Sequence, residues 1–474
     1  MGISSTVVTA RDGGLGIIQS LDGLSAKIGT ASAGTADTPV YCATKQAAID
    51  AFTSGPLVRA AIWHFERSQR PLLLVRGTAS TAGSAGSVTH VGSGPTVTVT
   101  GTPVDTFNVQ VLITTGGALG TSQFYYSTDG STDQDDMIGP IATAATYAIP
   151  GTGATLNMAA GTYVVGDTYA FDTVAPANTL ANVQTAWDAL VAVSTYVWEF
   201  CHIVGGGADA AASAALAAAL DTRMATAEAA GRPCYVVLDW PGVSGGVTLA
   251  GNITAWASTT STRIVCPVGH HEIAYVDGTT PSVPLGWSIA PKIARTPLSI
   301  DIASMDPAEV DRSDLPGVLS IVHDDYVTGG AADAGFLAAR TRLGRAGFYV
   351  AKSRIKSSPT SDFSKIQYRR IVDQACRLVA TALEKYENAR IPVDSATGRI
   401  KEEKAREIDA HVNHALQAGL VDLLHASSAA CSVVRTTDIL STGDLNAEVA
   451  VVPPGYGETI RAYVSLRNPA VVAV

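Results

Sequence analysis

The sequence is short of charge: only 16% of its 474 residues are Asp, Glu, Lys or Arg, against roughly 25% in an ordinary soluble protein. It also lacks any run of about 18 apolar residues, which excludes a chain that spans a membrane by helices. The most apolar stretch, 189–204, is broken by Ser194, Thr195, Glu199 and His202. The first residues carry neither the basic n-region nor the apolar h-region of a secretory signal, so synthesis and folding in the cytoplasm are expected. The six cysteines, at 42, 201, 234, 266, 376 and 431, never form a CxxC pair. Their spacing argues for reduced, mostly buried thiols and against a disulfide scaffold or a zinc finger. There is no Walker loop to cradle a nucleotide phosphate.

Basic residues are missing from one long region altogether. From Gly77 to Thr222, 146 residues contain no Lys or Arg but eleven acids, so this part is uniformly anionic within a formal net charge of -10. Arg340 to His411 is the opposite, with sixteen basic residues and nine acids, a net +7. Because Glu402, Glu403, Glu407, Asp362 and Asp373 interleave with those cations, a nucleic-acid surface is not favoured. A mixed-charge solvated face is the plain reading, and a surface complementary to an acidic protein is the sharper one.

Hydrophobic patterning divides the chain. Ile3 to Ala10 is β-prone and has no local hairpin partner. Thr44 to Phe52 and Pro56 to Arg67 read as helices, and Pro71 to Val75 as a buried strand. Between Gly77 and Pro176 the composition turns to Thr, Ser, Gly, Ala and Val, with period-two runs at Thr96 to Thr100 and Phe107 to Ile113, the signature of an all-β unit. From Thr179 helix and strand signals alternate: a helix to Ser194, then Tyr196–Val204, Asp209–Ala230, Cys234–Asp239, a helix near Ile253–Ala257, and Arg263–Pro267. Such alternation implies βαβ crossovers, with Cys201, Cys234 and Cys266 once per strand as core fillers. The last section holds strand-like Val318–His323 and Phe348–Lys352. Two amphipathic helices follow, Ser364–Asn388 and Glu402–Ala426, then β-prone runs at Cys431–Thr436, Ala447–Val452 and Thr459–Leu466. The expected fold class is α/β, α+β overall. Its parts are an arm over 1–20, an α/β core from 21–76 and 177–300, an inserted β domain over 77–176, and a C-terminal α+β assembly domain over 301–474.

Several motifs suggest enzymes. Gly242-Val243-Ser244-Gly245-Gly246 fits a nucleophile elbow, with Asp277 or Asp301 and His323 completing a hydrolase order, but Trp240-Pro241 separates it from its strand. Gly205 to Ala210 fits G-x-G-x-x-A, with Asp239 in the place of a ribose-binding acid. Asp209, however, falls where it caps the helix and occupies the N–H groups a pyrophosphate needs. His270-His271-Glu272 puts adjacent histidines on opposite faces of a strand, and Asp129 to Asp136 lacks calcium-loop spacing, so each reads as structure and not a metal site. Asp324-Asp325 beside His323 completes no acid/base constellation. No catalytic residue, cofactor or metal is expected, the alternative being an α/β hydrolase at Ser244 or a dinucleotide-binding protein at Gly205.

Phe336-Leu337-Ala338-Ala339-Arg340-Thr341, Gly347-Phe348-Tyr349-Val350, and Ser361-Asp362-Phe363-Ser364 running into Tyr368 to Asp373 resemble contractile tail sheath proteins of bacteriophages and of phage-tail-like injection systems. So do Thr437 to Leu445 and Val451 to Tyr456 near the end. The resemblance implies a multidomain structural subunit that forms hexameric rings stacked helically around an inner tube protein, meets baseplate and tail-terminator proteins, and contracts. It further implies assembly in the bacterial cytoplasm, residence in a phage tail or injection particle, no nucleic acid and no direct membrane insertion; another polymerising virion protein is the structural alternative. Extended termini that add strands to neighbours are implied at Ile3, Val7 and Val8 and at Ile460, Tyr463, Val464 and Leu466. Lys365, Arg369, Arg370 and Arg377 make a candidate basic face toward the tube or a neighbouring subunit. On this reading the low charge fits a lattice subunit, because much of its surface meets other copies and needs little solubilising charge.

Overall fold

The computed structural model describes residues 24–207, 209–240, 249–273, 282–306, 314–315, 318–319 and 330–457. At its centre lies a six-stranded sheet in the order Ile264–Val265, Tyr235–Leu238, Phe200–Ile203, Ser25–Gly29, Leu72–Arg76, Val40–Cys42. All neighbours are parallel except the last pair. Its inner strands are buried on both faces, as parallel sheets with helices on each side must be.

Local chemistry sets the helices. The Thr44 side chain accepts the Ala47 N–H at 3.2 Å to open Lys45–Phe52, and Pro56 starts Pro56–Ser68, where its missing N–H is harmless. The Asp209 side chain accepts the Ala212 N–H at 2.8 Å to cap Ala210–Ala229. One face of the sheet packs Ala26, Ile28, Cys201, Ile203, Val236 and Leu238 against Leu180–Ala192 and Ala210–Ala229. The other meets Pro56–Ser68 and Gly286–Arg295, a helix not foreseen because Pro291 lies inside it.

The region from Gly77 to Pro176 is all β. Five strands pair in the order Ile138–Ala142, Gln123–Ser127, Asn108–Thr115, Thr168–Val174, Ser84–Ala85, and three more as Thr146–Ala148, Ala154–Met158, Val97–Gly101. Alternation works as expected: Val109, Val111 and Ile113 point into a core with Phe124, Tyr126 and Phe171, while Asn108, Gln110 and Leu112 do not. Both ends of the unit leave the core together, with Gly77 N–H on Gly29 O at 3.0 Å and a Thr81–Ala177 bridge.

The boundary expected at 301 is not a packing boundary. Ala331, Ala332, Phe336 and Ala338 join the Trp187 core, and Leu337, Ala339, Val350 and Ile355 join the cluster on the opposite face. The separate C-terminal core begins with Ile366–Glu384, which packs Ile371, Ala375 and Ala382 on Ala405, Ile408, Val412 and Leu416 of Glu402–Leu416. That second helix ends earlier than the pattern predicts, in a π-turn at Gln417–Val421.

Candidate assembly interface

Ser428–Val433 pairs with Ala447–Val452 in a two-stranded antiparallel sheet, in register from Ser428↔Val452 to Val433↔Ala447. In such a ladder alternate residues turn their N–H and C=O outward. On the first strand that outer edge is taken. Asn413 of Glu402–Leu416 accepts the Cys431 N–H at 2.6 Å and donates to Cys431 O at 3.2 Å, and Asp409 accepts the Val433 N–H at 2.6 Å. Arg435 braces this arrangement with ion pairs to Asp409 and Glu402, both 2.7 Å. The edge of Ala447–Val452 is different. Among the described residues no hydrogen bond reaches the outward groups of Ala447, Val449 and Val451, and Val449 and Val452 are exposed. An apolar strand edge left open is a template for another strand.

The candidate basic face has to be corrected. Arg369 and Arg370 are each 1% exposed and point into the molecule. Arg370 pairs with Glu199 and donates to Thr296 O and Pro297 O at 3.0 and 3.1 Å, while Tyr235 Oη donates to Glu199 at 3.0 Å. Arg369 lies 3.0 Å from Glu228 and 2.8 Å from Asp373, and Glu228 also pairs with Arg263. Arg377 donates to Trp198 O and Pro233 O at 3.2 and 2.7 Å, beside a cleft of about 250 Å³. Lys365 stands over the rings of Tyr368 and Tyr456. The helix is thus clamped on both sides, its apolar stripe on the C-terminal core and its basic stripe on the α/β core. Glu199 inside an apolar strand run was the signal that such cations have an internal partner, since buried charge demands one. The expected arm residues, Ile3, Val7 and Val8 and Ile460, Tyr463, Val464 and Leu466, lie outside the described residues.

The enzymatic motifs gain no support. The Gly205 N–H donates to Asp239 Oδ2 at 3.0 Å, and a Cβ on Gly206 would lie 1.7 Å from Asp239 O, so this turn is closed on the protein's own carboxylate. Ser244, Asp277, His323, Asp324 and Asp325 lie outside the described residues. The acids at 129–136 cap their own turns: Asp129 accepts Ser131 N–H and Asp133 accepts Asp135 N–H. His270 and His271 are both buried, and among the described residues no three His, Cys, Asp or Glu gather as metal ligands. No described helix is long and apolar enough to cross a membrane.

The chain matches family models described as the DUF2586 N-terminal domain over residues 3–354 and the DUF2586 C-terminal domain over residues 362–471. No curated protein matches it. Among solved structures it is similar to a chain of an extracellular contractile injection system, the PVC sheath complex in its contracted state, with TM-score 0.55 and 9% identity over 98% of both chains. A chain of the anti-feeding prophage baseplate in its contracted state is similar at TM-score 0.51 and 12% identity, over 98% of this chain and 97% of that one. A sheath tail protein from Desulfitobacterium hafniense is similar at TM-score 0.48 and 12% identity, over 96% of this chain and all of that one. The fold is the α+β multidomain fold found in contractile sheaths.

Proposed function

This chain belongs to the DUF2586 family, and on that premise we propose that it is the subunit of a contractile tail sheath. The observation that carries the proposal is the likeness of nearly the whole chain to a chain of a contracted sheath complex. The open edge of Ala447–Val452 supports it, because a lattice subunit needs a place where a neighbour's extended segment adds main-chain hydrogen bonds. In this reading the terminal segments around Ile3, Val7 and Val8 and around Ile460, Tyr463, Val464 and Leu466 leave their own subunit, and one of them pairs with the exposed edge of the next. Contacts of this head-to-tail kind build open helical lattices and not closed dimers. Six subunits form each ring around an inner tube, with baseplate and terminator proteins at the ends, in a phage tail or an injection particle assembled in the cytoplasm.

The subunit is structural and not an enzyme: contraction draws on interfaces that repack between two lattice states, and it needs no cofactor. The β unit over 77–176 is carried outside that lattice. The tube contact is not assigned to the buried arginines. Sedimentation velocity of the full chain tests the reading: large open-ended polymers are expected, reduced to monomers by deletion of residues 1–20 and 459–466 together. Monomers from both chains would contradict it.

A further inference from the structure

On the sheet face beneath Pro56–Ser68 and Gly286–Arg295, four ionisable side chains are shut away from solvent. Lys27, His202, Asp239 and His64 are each 0% exposed. Strand register brings the first three into a row: Lys27 is level with His202, and Asp239 follows Leu238 on the next strand. Lys27 Nζ lies 2.7 Å from His202 Nδ1, and His202 Nε2 lies 2.8 Å from Asp239 Oδ1. The second Asp239 oxygen accepts from Gly205 N–H at 3.0 Å and from the Trp287 indole at 3.1 Å. Helix Gly286–Arg295 sits directly on this row, since a Cβ on Gly286 would fall 2.2 Å from Asp239 Oδ1. His64, on Pro56–Ser68, completes the group, and neither of its ring nitrogens has a hydrogen-bond partner among the described residues.

Where Lys27 is an ammonium it only donates, so His202 Nδ1 is then the acceptor and Nε2–H donates to Asp239. His202 is therefore neutral. A further proton has one place to go, Nδ1, where it would replace the acceptor of Lys27 by a second donor. A proton on His64 would add a buried cation near Lys27 with no acceptor among the described residues to meet it.

We propose that His202 and His64 form a proton-operated latch: as neutral rings they allow Pro56–Ser68 and Gly286–Arg295 to lie on the sheet, and as cations they release them. This inference stands apart from the assembly reading. Burial holds both imidazoles below their usual 6.5, Lys27 adds to this in both, and Asp239 opposes it at His202. The sign follows. An opened state takes up protons on these rings below 6.5 while the packed state does not, so the stability the neutral imidazoles allow is fully present above 6.5 and is lost as pH falls toward the lowered values. Lys27, brought down to about 7 chiefly by burial, acts in the same direction at higher pH. Other groups face the row. His270 is also held low by burial, opposed by Asp239. His271 lies 3.4 Å from Ser288 on Gly286–Arg295, which accepts from Trp63 Nε1 at 3.2 Å. The Cys201 thiol lies on the opposite face of the sheet and, pushed well up by burial, stays neutral.

Hydrogen exchange of the full chain, corrected for the intrinsic effect of pH, tests the latch at about pH 8 and about pH 5.5. Protection of residues 56–68 is expected to fall at the lower pH by about tenfold per imidazole for each unit below 6.5. His64→Leu should fold at pH 8 and lose about one imidazole's share of that fall, and His202→Gln the other share. If His202→Gln does not fold, His64→Leu decides alone. An acid-induced loss of protection as large in His64→Leu as in the wild type, or no loss at residues 56–68 in the wild type, would overturn the proposal.

Discussion

Arg370, near the start of the helix Ile366–Glu384, and Glu199, immediately before the strand Phe200–Ile203, form a two-pronged ion pair in which each side chain is 1% exposed. It joins the C-terminal core to the α/β core across a gap of 171 residues. Breaking one side of such a pair leaves a buried charge without compensation, at about 3–5 kcal/mol. Arg370→Met should therefore lower the urea midpoint sharply, and Arg370→Met with Glu199→Leu should recover much of the loss. A single variant as stable as the wild type would show that the pair contributes nothing.

The burial of Arg369 changes what charge reversal means. Arg369→Glu faces Glu228 and Asp373 at the positions it now neutralises, so it should yield little folded subunit. Were the residue part of an external face, the folded variant would instead be abundant and fail only in assembly.

The open edge gives a cleaner assembly variant. The Val449 N–H points away from the Ser428–Val433 strand, so Val449→Pro removes no ladder bond of the monomer. Monomer melting should shift by less than about 1 kcal/mol of stability, while polymer formation is lost. Polymers at wild-type yield would exclude this edge as an acceptor.

Asp373 titrates in the opposite sense from the latch. Burial outweighs Arg369 and Arg377 and raises its carboxyl to about 6 from 3.8, so its favourable contribution is present below 3.8 and is lost as pH rises through 6. Asp373→Asn mimics the protonated form. Its stability relative to wild type should improve by about 2 kcal/mol from pH 4.5 to pH 7.5, measured as paired urea midpoints.

Because Thr81 and Ala177 are bridged, the β unit enters and leaves through one point. Replacing residues 82–175 by a short Gly-Ser linker should leave the remaining helices folded, seen as an unchanged helical circular dichroism signal per molecule.

Periodicity made much of this architecture legible. The alternation at Phe107 to Ile113, the capping by Asp209 and the apolar stripe from Ile371 to Ala382 all act locally, and so can be read from neighbours in the chain. What escaped reading depends on distant partners. Ser25–Gly29 is a central strand, yet it is five residues long and carries Lys27 at its middle, which reads as solvent-facing until His202 and Asp239 are placed beside it. The stripe of Arg369, Arg370 and Arg377 likewise looks external in isolation, because nothing within the helix reveals Glu199 or Glu228 opposite. Strand-edge openness at Val449 is a property of what does not pair, which patterning alone does not report.

Electron microscopy of the purified full chain tests the central claim most directly. A sheath subunit should form hollow, striated cylinders with a regular axial repeat, and Val449→Pro should abolish them. Monodisperse globular particles from the wild-type chain, under conditions where it is folded and concentrated, would contradict the account.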